Sequence, residues 1–524
     1  MNAESIVNDQ ALTSALSRLQ AVRPVWSTVR SARDALNLEP MTLLHAGPPF
    51  DDPRQPSPPV MSSAVLCCVY EGWATNEIDA QRLIAEGRVR LRPSQDYRVV
   101  TPLAAVISPS CSLVEVIDAA VPNGPGCWSM LSSGFGPQIR FGSRNPDVLK
   151  RMAWREEHLA PVLRAALDAT PIDLIPVAVA GLAGGDDLHS RTSAATAYLR
   201  NVLATSMDDS VVDKMLEETP LFFLTLWMAA CFLMLDATRT GNVNHKARLV
   251  VALAGNGFDA GVRLANDPDQ WIISKAHVPQ GPRLANEENT ISPMLGDSGV
   301  IDAAGFGAQA WFYARDAAKD VAGWLPAQPE QRPLWLVGSH PAFSAFGLGC
   351  AIDAGQISKM LPTPWVSIAM LDASGQKGLL GRGVCKTDPA LFGAGMDGSL
   401  AINQPQTLSD LNTAFERYER ALTTNDVAVL DELFWKSPET LRYGAKEHLY
   451  GYDAIQSYRA GRAATNLDRE ILERSVTTFG ADFAVTNMVF SRMGEARPGR
   501  QTQSWVRIDG HWRVVAAHVS WMDV

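Results

Sequence analysis

The sequence predicts a multidomain protein in which a large mixed α/β region with a helical part precedes a smaller α+β domain. Its 524 residues are enough for two to four domains, and a hydrophobic fraction of 46% allows a large buried core. Apolar segments alternate with helical patterns before residue 405, and the pattern changes after it. We therefore place the domains at 1–405 and 406–524, with 170–190 as the place where the first would subdivide.

The start of the chain carries the α/β prediction. Residues 1–40 are typical of amphipathic helices. The apolar segments 41–46, 60–70 and 99–107 are expected to be strands, and 60–70 would be fully buried. A helical pattern at 77–84 separates the last two, so strands and helices alternate as they do in α/β folds.

Helical patterns dominate the middle of the first region. Residues 145–167 predict one long helix, and residues 221–235 are the most apolar segment of the chain. With 15 residues, that segment is too short to span a membrane and is typical of a buried helix. A strand at 248–255 follows and ends at the turn Asn256-Gly257.

The stretch at 181–195, GLAGGDDLHSRTSAA, places two adjacent carboxylates, a histidine and an arginine ahead of a helical pattern. Backbone N–H groups at a helix N-terminus favour anions. Arg191 is expected to face an anionic ligand, and His189 to move a proton, oriented by Asp186 or Asp187. The alternative is a capping network without chemistry, because Asp-Asp after Gly-Gly is also a good helix cap.

A second convergence of polar residues lies at 294–311, where Asp297 and Ser298 follow a glycine and precede a small-residue helix. We take Asp297, Ser298 and Asn256 as candidate substrate-binding residues. The alternative is again structural, since Gly-Asp-Ser is an ordinary helix cap. The histidines, cysteines and acids have no convincing metal-ligand spacing, so we expect no metal.

Charge and cysteine use restrict the function classes. A formal net charge of -10 argues against broad nucleic-acid binding and against a basic membrane-surface role. The seven cysteines form no CxxC pair, and the N-terminal segment has neither the basic nor the apolar part of a secretion signal. We therefore expect a cytoplasmic protein without nucleic-acid or membrane partners.

The pattern after residue 405 predicts a separate α+β domain. Apolar residues at helical spacing mark a first amphipathic helix, namely Leu411, Ala414, Phe415, Tyr418 and Leu422. Short strands are expected at 474–479, 484–491, 502–508 and 512–521.

We predict a ligand pocket in this domain. Arg459 and Arg462 are three residues apart and share a helix face, so they either bind a carboxylate ligand or pair with Glu447 and Asp453 at the surface. The remaining candidate pocket residues are Tyr418, Arg442, Tyr443 and His518. His518 lies on the last strand, where alternation leaves open which face lines the pocket.

The last strand also predicts self-association, because both of its sides are apolar. Its residues divide into Trp512, Val514 and Ala516 on one side and Val515, Ala517, Val519 and Trp521 on the other. One side can pack on the domain's own helices, and the other would be an exposed apolar patch. We therefore predict a homo-oligomer with a contact through the C-terminal domain.

Residues from about 40 to 397 resemble the family called domain of unknown function 1116, which includes a large subunit of oxamate carbamoyltransferase. The matching signatures occur in order: HAGPP at 45–49, YEGWA at 70–74, ISPS at 107–110, RFG at 140–142, GDDLHSR at 185–191, LFFLTLWMAAC at 221–231, GNG at 255–257 and GDSGVIDAAGFG at 296–307.

Residues 407–524 resemble the AtzH-like family, domain of unknown function 3225, whose members are small cones of the nuclear transport factor 2-like superfamily. The matching segments are FERYERAL, LFWKSPETLRYGAKEHLYGYDAIQSYRAGR, GRQTQSWVRIDGHWRVVAAHVS and the final Trp-Met. Such proteins occur beside amidases that act on ureides and related compounds.

Both resemblances imply metabolism of small N-carbamoyl or ureido compounds. The first implies an enzyme or enzyme subunit that transfers a carbamoyl group between a ureido acid and phosphate. Carbamoyl phosphate or phosphate would then be the co-substrate, and no other cofactor is expected. The expected partners are a small ureido or carboxylate ligand and hetero-subunits of a carbamoyltransferase or amidase complex.

The alternative function is a non-catalytic protein that binds a ureido acid or scaffolds an amidase in a ureide-degradation pathway. Two departures from the first family's pattern motivate it. The Cys/His-rich segment that often precedes ISPS reads RPSQDYRVVTPL here, with Asp96 as its acid. An acidic turn of the NEGLG kind reads SSGFG at 132–136.

Overall fold

The computed structural model shows two compact units, Met1–Ala394 and Gly395–Val524. It describes residues 3–121, 123–240, 247–285, 288–325, 332–357, 363–393, 403, 405–462, 465, 467–479 and 482–522.

Helices make up much of the N-terminal unit. Their bounds are α1 (Ala3–Ala21), α2 (Ala32–Leu36), α3 (Pro58–Tyr70), α4 (Glu77–Ala85), α5 (Asp147–Trp154), α6 (Ala160–Ala169), α7 (Leu174–Ala183), α8 (Ser193–Leu203), α9 (Ser210–Glu218), α10 (Phe223–Asp236), α11 (Gly299–Ala303), α12 (Arg315–Lys319) and α13 (Ala354–Ile357). A π-helical turn, Arg155–Leu159, joins α5 to α6, so the long helix predicted at 145–167 is one helical segment with a π turn inside it.

The strands of this unit are mostly short. Their bounds are β1 (Pro24–Ser31), β2 (Thr42–His45), β3 (Arg90–Pro93), β4 (Val99–Val100), β5 (Val106–Ile107), β6 (Ser112–Asp118), β7 (Cys127–Met130), β8 (Ile172–Asp173), β9 (Val250–Asn256), β10 (Asp259–Leu264), β11 (Asp267–Lys275), β12 (Leu295–Gly296), β13 (Leu336–Val337), β14 (Ala351–Ile352), β15 (Trp365–Leu371) and β16 (Leu379–Lys386).

Mixed sheets and helices confirm the predicted α/β class. Within the described residues, one sheet has the order β4-β7-β6-β1-β8 and a second the order β11-β10-β9-β12. A third joins β3, β2 and β5, in which β2 runs parallel to β3 and antiparallel to β5. The strand β9 leads to the turn at 255–257, and β12 leads into α11, so the second sheet positions two of the sequence signatures.

The buried helix predicted at 221–235 is confirmed as α10. Every residue of α10 except Asp236 is buried. Trp227 packs against Phe306 and Phe343 with ring centroids 5.1 and 6.1 Å apart. In the described part of the chain, no single helix is both long and apolar enough to cross a membrane. Only α9 and α10 together reach that length and composition, and they meet at an angle of 77°.

Two predictions in the first 110 residues are wrong. The segment 60–70 is not a strand but lies in α3, which follows Ser57 and begins with two prolines, a favoured helix start. A continuous apolar run does not distinguish a buried strand from a helix that is buried all round. Conversely, part of the segment predicted to be helical forms β1, whose Trp26 and Val29 are fully buried.

The strand predicted at 99–107 is divided into β4 and β5. Leu103 lies between them with a φ of 48°, in the left-handed region that interrupts a strand. The backbone therefore turns at this point. Gly296 packs closely there, since a Cβ on it would lie 2.7 Å from the Leu103 nitrogen.

The C-terminal unit is an α+β domain, as predicted. Its elements are α14 (Pro405–Thr423), α15 (Val427–Leu433), α16 (Tyr452–Ala460), β17 (Leu441–Tyr443), β18 (His448–Tyr450), β19 (Arg469–Phe479), β20 (Phe483–Arg492), β21 (Gly499–Ile508) and β22 (His511–Trp521). The sheet has the order β18-β17-β22-β21-β20-β19. Its helices share a core with it, in which Phe415 and Tyr418 of α14 pack with Phe490 and Trp505.

The predicted polar link at 403–407 lies mostly at the start of α14, and residue 404 is outside the described residues. Asn403 exchanges two hydrogen bonds with the backbone of Thr478, at 3.2 and 2.9 Å. The division at 405/406 stays a prediction.

The predicted division of the last strand into two faces is wrong beyond Val514. A register shift between Ser504 and Trp505 leaves Val515 without a partner on β21. This bulge moves every later residue to the other face. As a result Ala517, Val519 and Trp521 pack in the same core as Trp512 and Val514.

Candidate functional site

Asp187 organises the turn between α7 and α8. Its Oδ1 accepts the backbone N–H groups of His189 and Arg191 at 3.0 and 2.9 Å. Its Oδ2 accepts the Ser190 hydroxyl at 2.6 Å and the Trp311 indole N–H at 3.0 Å. The side chain is completely buried. Four donors thus fix the backbone that presents His189 and Arg191.

Asp186 caps α8. Its Oδ2 accepts the N–H of Ala195 in the first turn of that helix at 2.9 Å. Its Oδ1 lies 3.7 Å from the Nε of Arg191, whose side chain is 40% exposed. Burial raises the pKa of Asp186, and its bond from Ala195 opposes that rise. One of the two adjacent carboxylates therefore has the capping geometry expected from the sequence, while Arg191 remains accessible to a ligand.

His189 is paired with a carboxylate that sequence reasoning missed. Its Nδ1 lies 2.7 Å from Oδ2 of Asp302, which belongs to α11, and both side chains are buried. Asp302 also accepts the N–H groups of Ala308 and Ser367 at 2.8 and 3.3 Å. Asp302 lies in the signature GDSGVIDAAGFG, and this position is the feature of the sequence that could have identified it as a candidate site residue.

The His189–Asp302 pair has the geometry of a proton-transfer dyad. The carboxylate holds Nδ1 as the protonated nitrogen, which leaves the lone pair on Nε2. Nε2 has no hydrogen-bond partner among the described residues. Burial raises the pKa of Asp302, and its bond from His189 opposes that rise. Such a pair can accept a proton from a reacting group.

Asp297 is a buried junction rather than an open carboxylate. Its Oδ1 accepts the Gly47 N–H at 3.0 Å and the Gln95 amide at 2.8 Å. Its Oδ2 accepts the Thr101 N–H at 2.8 Å and the Ser94 hydroxyl at 2.7 Å. The side chain has no exposed surface. Its role in substrate binding stays a prediction, while its contacts tie three loops together.

Ser298 and Asn256 lie in the same region. The Ser298 hydroxyl is buried and has no hydrogen-bond partner among the described residues. The Asn256 amide donates to the carbonyl of Pro48 at 3.0 Å, and its oxygen accepts two backbone N–H groups of its own turn. Gly47 has a φ of 80°, and a Cβ there would lie 2.4 Å from the Gly255 carbonyl carbon. The signatures at 45–49, 255–257 and 296–307 therefore meet.

His45 belongs to this junction and is buried as a neutral ring. Its Nδ1 lies 2.8 Å from the carbonyl oxygen of Ala46, and its ring packs on Phe50 with centroids 4.5 Å apart. Burial lowers the pKa of His45 from 6.5 to about 4. The folded protein therefore resists protonation of this ring.

Acidification is expected to destabilise the N-terminal unit through His45. Between pH 6.5 and 4 the unfolded chain binds a proton that the folded chain does not, so the stabilisation is complete above pH 6.5 and is lost as the pH falls toward 4. The loss between pH 7 and pH 5 should be about 2 kcal/mol. Urea unfolding at both pH values measures it. His45→Asn should show a pH difference smaller by that amount, and an equal difference would contradict the assignment.

In the described part of the C-terminal unit, five arginines lie near one another on the inner side of the domain, which is the face of the sheet that packs on its helices: Arg442, Arg459, Arg462, Arg469 and Arg492. Three of them have carboxylate partners: Arg442 pairs with Glu447, Arg459 with Asp431 at 3.0 Å, and Arg469 with Glu419 at 2.5 Å. Arg459 also lies 3.9 Å above the Phe434 ring.

The other two arginines, Arg462 and Arg492, have no carboxylate partner among the described residues. Arg462 donates to the Asn425 side chain at 3.3 Å, and its Nε is buried without a partner among the described residues. The guanidinium carbon of Arg492 lies 5.8 Å from the centre of the Phe490 ring, and its Nε also has no partner in the described ranges. Burial lowers the pKa of both, and neighbouring arginines add to this effect. The inner side therefore carries uncompensated positive charge. Arg492 was not predicted from the sequence.

The structure does not bring all predicted pocket residues together. Tyr418 and Arg442 act electrostatically on Arg462 and lie with it on the inner side. Tyr443 follows Arg442 along β17, so its side chain points to the opposite face. There it contacts Tyr450 and His518, and His518 is exposed.

In the described part of the chain, the cysteines form no disulfide bond and the structure contains no metal-binding group. All seven cysteines are buried free thiols. Throughout the described ranges, no group of three or more His, Cys, Asp or Glu side chains is arranged to hold a metal ion.

Comparisons with known proteins cover both units. The N-terminal unit is similar to the oxamate carbamoyltransferase subunit AllG of Escherichia coli (strain K12), with 28% identity over 405 residues, 73% of this chain and 95% of that protein. It is also similar to the uncharacterized protein YahG of the same organism, with 25% identity over 382 residues, 68% of this chain and 79% of YahG.

A solved structure supports the fold of the first region. It is that of a conserved protein of unknown function from Enterococcus faecalis V583, with a TM-score of 0.66 and 22% identity, covering 74% of this chain and 96% of that one. Family models match residues 89–298, as oxamate carbamoyltransferase subunit AllG, and residues 400–524, as AtzH-like. The resemblance recognised in the sequence is thereby confirmed. The chain is therefore similar to the AllG family at residues 89–298 and to the AtzH-like family at residues 400–524.

Proposed function

We propose that this chain is an enzyme, or a subunit of one, that transfers a carbamoyl group between a small ureido acid and phosphate in ureide metabolism. The observation that carries the proposal is the His189–Asp302 pair, whose free Nε2 lies within a region matched by a carbamoyltransferase subunit family. Carbamoyl phosphate or phosphate is the co-substrate. Hetero-subunits of a carbamoyltransferase or amidase complex are the proposed partners, and the cytoplasm is the proposed location.

The proposed step requires one base and one anion-binding group. A nitrogen of the acceptor attacks the carbamoyl carbon, the bond from that carbon to the phosphate oxygen breaks, and phosphate leaves. The proton lost by the nitrogen passes to His189 Nε2. Arg191 holds an anionic group of a substrate with its planar fork. Asp187 positions both residues through their backbone N–H groups.

The C-terminal domain is proposed to bind a carboxylate-bearing ureido ligand. Arg462 and Arg492 support this role, because they face the inner side without carboxylate partners among the described residues. Tyr418 and Arg442 lie beside Arg462. A carboxylate placed between the two arginines would neutralise the excess charge.

A non-catalytic ligand-binding or scaffolding role is the second candidate. The observation that favours it is that both oxygens of Asp187 and of Asp297 accept hydrogen bonds from the protein, as in a purely structural network, and that Oδ2 of Asp186 caps α8. Turnover of carbamoyl phosphate with oxamate, measured with and without added partner subunits, separates the two roles. Ligand binding without turnover under both conditions would favour the second.

Arg191→Lys is expected to weaken the use of carbamoyl phosphate at least tenfold, equivalent to about 1.4 kcal/mol, with little loss of thermal stability. Lysine keeps the charge but loses the planar fork. The KM for carbamoyl phosphate and the melting temperature measure the two effects. Arg82→Lys, in an exposed pair on α4, is the matched control. An unchanged KM with a large drop in melting temperature would instead support the capping network.

We also propose that the chain forms a homo-oligomer through its C-terminal domain. The bulge in β22 turns Ala517, Val519 and Trp521 into the core, so they leave no exposed patch on that strand. Exposed apolar residues of the sheet lie instead on the neighbouring strands and include Leu472 of β19 and Phe483 of β20. Light scattering on the full chain and on residues 1–405 should show an assembly that the shorter fragment loses. If both are monomers at micromolar concentration, or if truncation leaves the assembly unchanged, the proposal is wrong.

A further inference from the structure

Arg140 is a buried guanidinium that has no hydrogen-bond or ion-pair partner among the described residues. It lies in the 3₁₀ turn Ile139–Phe141, within the signature RFG, and only 8% of the residue is exposed. Its side chain makes no hydrogen bond or ion pair with any described residue, and its Nε is buried and unsatisfied. The guanidinium carbon lies over the Phe141 ring, 5.0 Å from the ring centroid.

Burial alone lowers the pKa of Arg140 to about 10, so the group stays charged at neutral pH. Proteins rarely bury a charge without a counter-ion, because the lost hydration is not recovered. Arg155 is also buried, but its charge is compensated because it pairs with Glu156 at 2.5 Å. Arg140 has the desolvation cost of a buried ion without such a protein partner.

A small cavity lies beside Arg140. Its lining consists of Pro102, Met130, Leu131, Ser132, Ser133, Gln138, Ile139, Arg140 and Thr225. The Ser132 hydroxyl is buried and has no hydrogen-bond partner among the described residues. A second residue with an unsatisfied donor thus lines the same cavity as Arg140.

We propose that this cavity binds a small oxyanion, held by the Arg140 guanidinium and the Ser132 hydroxyl. A guanidinium presents parallel N–H donors that match two oxygens of a phosphate or a carboxylate, and a serine hydroxyl supplies a further donor. The surroundings favour an anion. Arg151 donates to the carbonyl of Ser133 at 3.2 Å and has no carboxylate partner among the described residues.

The cavity is connected to the junction around Asp297. Pro102 lines the cavity, and the preceding residue, Thr101, exchanges hydrogen bonds with Asp297 at 2.8 and 2.9 Å. The carbonyl of Arg140 accepts the N–H of Ala104 at 3.0 Å. The same loop therefore supports the Asp297 network and one wall of the cavity.

This inference deepens the proposed function, in which phosphate and a carboxylate-bearing acid are both substrates. Ser132 and Ser133 line the cavity and carry no charge, so the positive charge of Arg140 remains available to a ligand.

The test uses inorganic phosphate and oxamate as separate probes with the full chain, by calorimetry and by thermal melting. We expect at least one probe to bind and to raise the melting temperature. Arg140→Met removes the charge at similar volume. It should bind that probe at least tenfold more weakly, and without ligand it should melt no lower than the wild type, because a costly buried charge is gone. Arg140→Lys should bind more weakly than wild type by losing the fork.

Arg144→Met is the matched control, because Arg144 is close in sequence and pairs with Glu77 at 3.0 Å. It should keep the response to the probe. A response to phosphate alone identifies a phosphate site, and a response to oxamate alone identifies a carboxylate site. No binding of either probe to the wild type, or equal binding by Arg140→Met, would overturn the inference. Binding that persists while no turnover occurs, either with or without added partner subunits, would support this site while contradicting the proposed enzyme.

Discussion

Asp297→Ala is expected to lower the free energy of unfolding of the N-terminal unit by about 3–5 kcal/mol. The substitution removes the acceptor of four buried donors, which come from Gly47, Ser94, Gln95 and Thr101. Each donor left without a partner in the interior carries its own desolvation cost. Burial raises the pKa of Asp297, and the four hydrogen bonds oppose that rise.

Urea unfolding of the full chain measures this effect, provided that the transition of the N-terminal unit is resolved. Asp316→Ala, which removes an exposed acid that pairs with Lys319, is the control and should change stability by less than about 0.5 kcal/mol. The loss of stability in Asp297→Asn should lie between the losses in Asp297→Ala and in Asp316→Ala, because the amide keeps one acceptor oxygen. If Asp297→Ala were as stable as the wild type but failed to bind substrate, the substrate-binding role predicted from the sequence would be correct.

The fold was predictable where the pattern of apolar residues in a segment is compatible with only one type of secondary structure. The apolar segment that forms α10 is too long for a buried strand and too short for a membrane span, and the regular strands of the C-terminal domain alternate clearly. The segment 60–70 is different, because an apolar run buried on all sides shows no period. The bulge at Val515 is also invisible to alternation, since one additional residue reverses the faces of everything that follows.

The candidate site was predictable only in part, for a related reason. The turn at 185–191 is local, so its polar residues could be found from the sequence. Their partners are not local, since Asp302 meets His189 across 113 positions. The lack of a partner is still harder to predict. Arg140 and Arg492 are unusual because no carboxylate among the described residues pairs with them. No short sequence pattern shows whether an arginine will have such a partner in the fold.

His189→Asn is expected to reduce kcat for carbamoyl transfer at least a hundredfold, equivalent to about 2.7 kcal/mol, with a much smaller change in KM. Asparagine places an amide N–H at the position of Nδ1 and can still donate a hydrogen bond to Asp302, so the link between the turn and α11 is retained. It has no basic nitrogen to accept the proton at the position of Nε2. Loss of the base therefore affects the transition state more than the binding of substrate.

Three measurements separate a base from a structural link. His158→Gln, which replaces a more exposed histidine 3.2 Å from Asp209, should keep its turnover and is the matched control. The acid limb of the pH–rate profile, which reports protonation of an essential base, should disappear in His189→Asn. The melting temperature of His189→Asn should fall little. Full turnover together with a clearly lower melting temperature would show that the His189–Asp302 pair only ties the turn to α11.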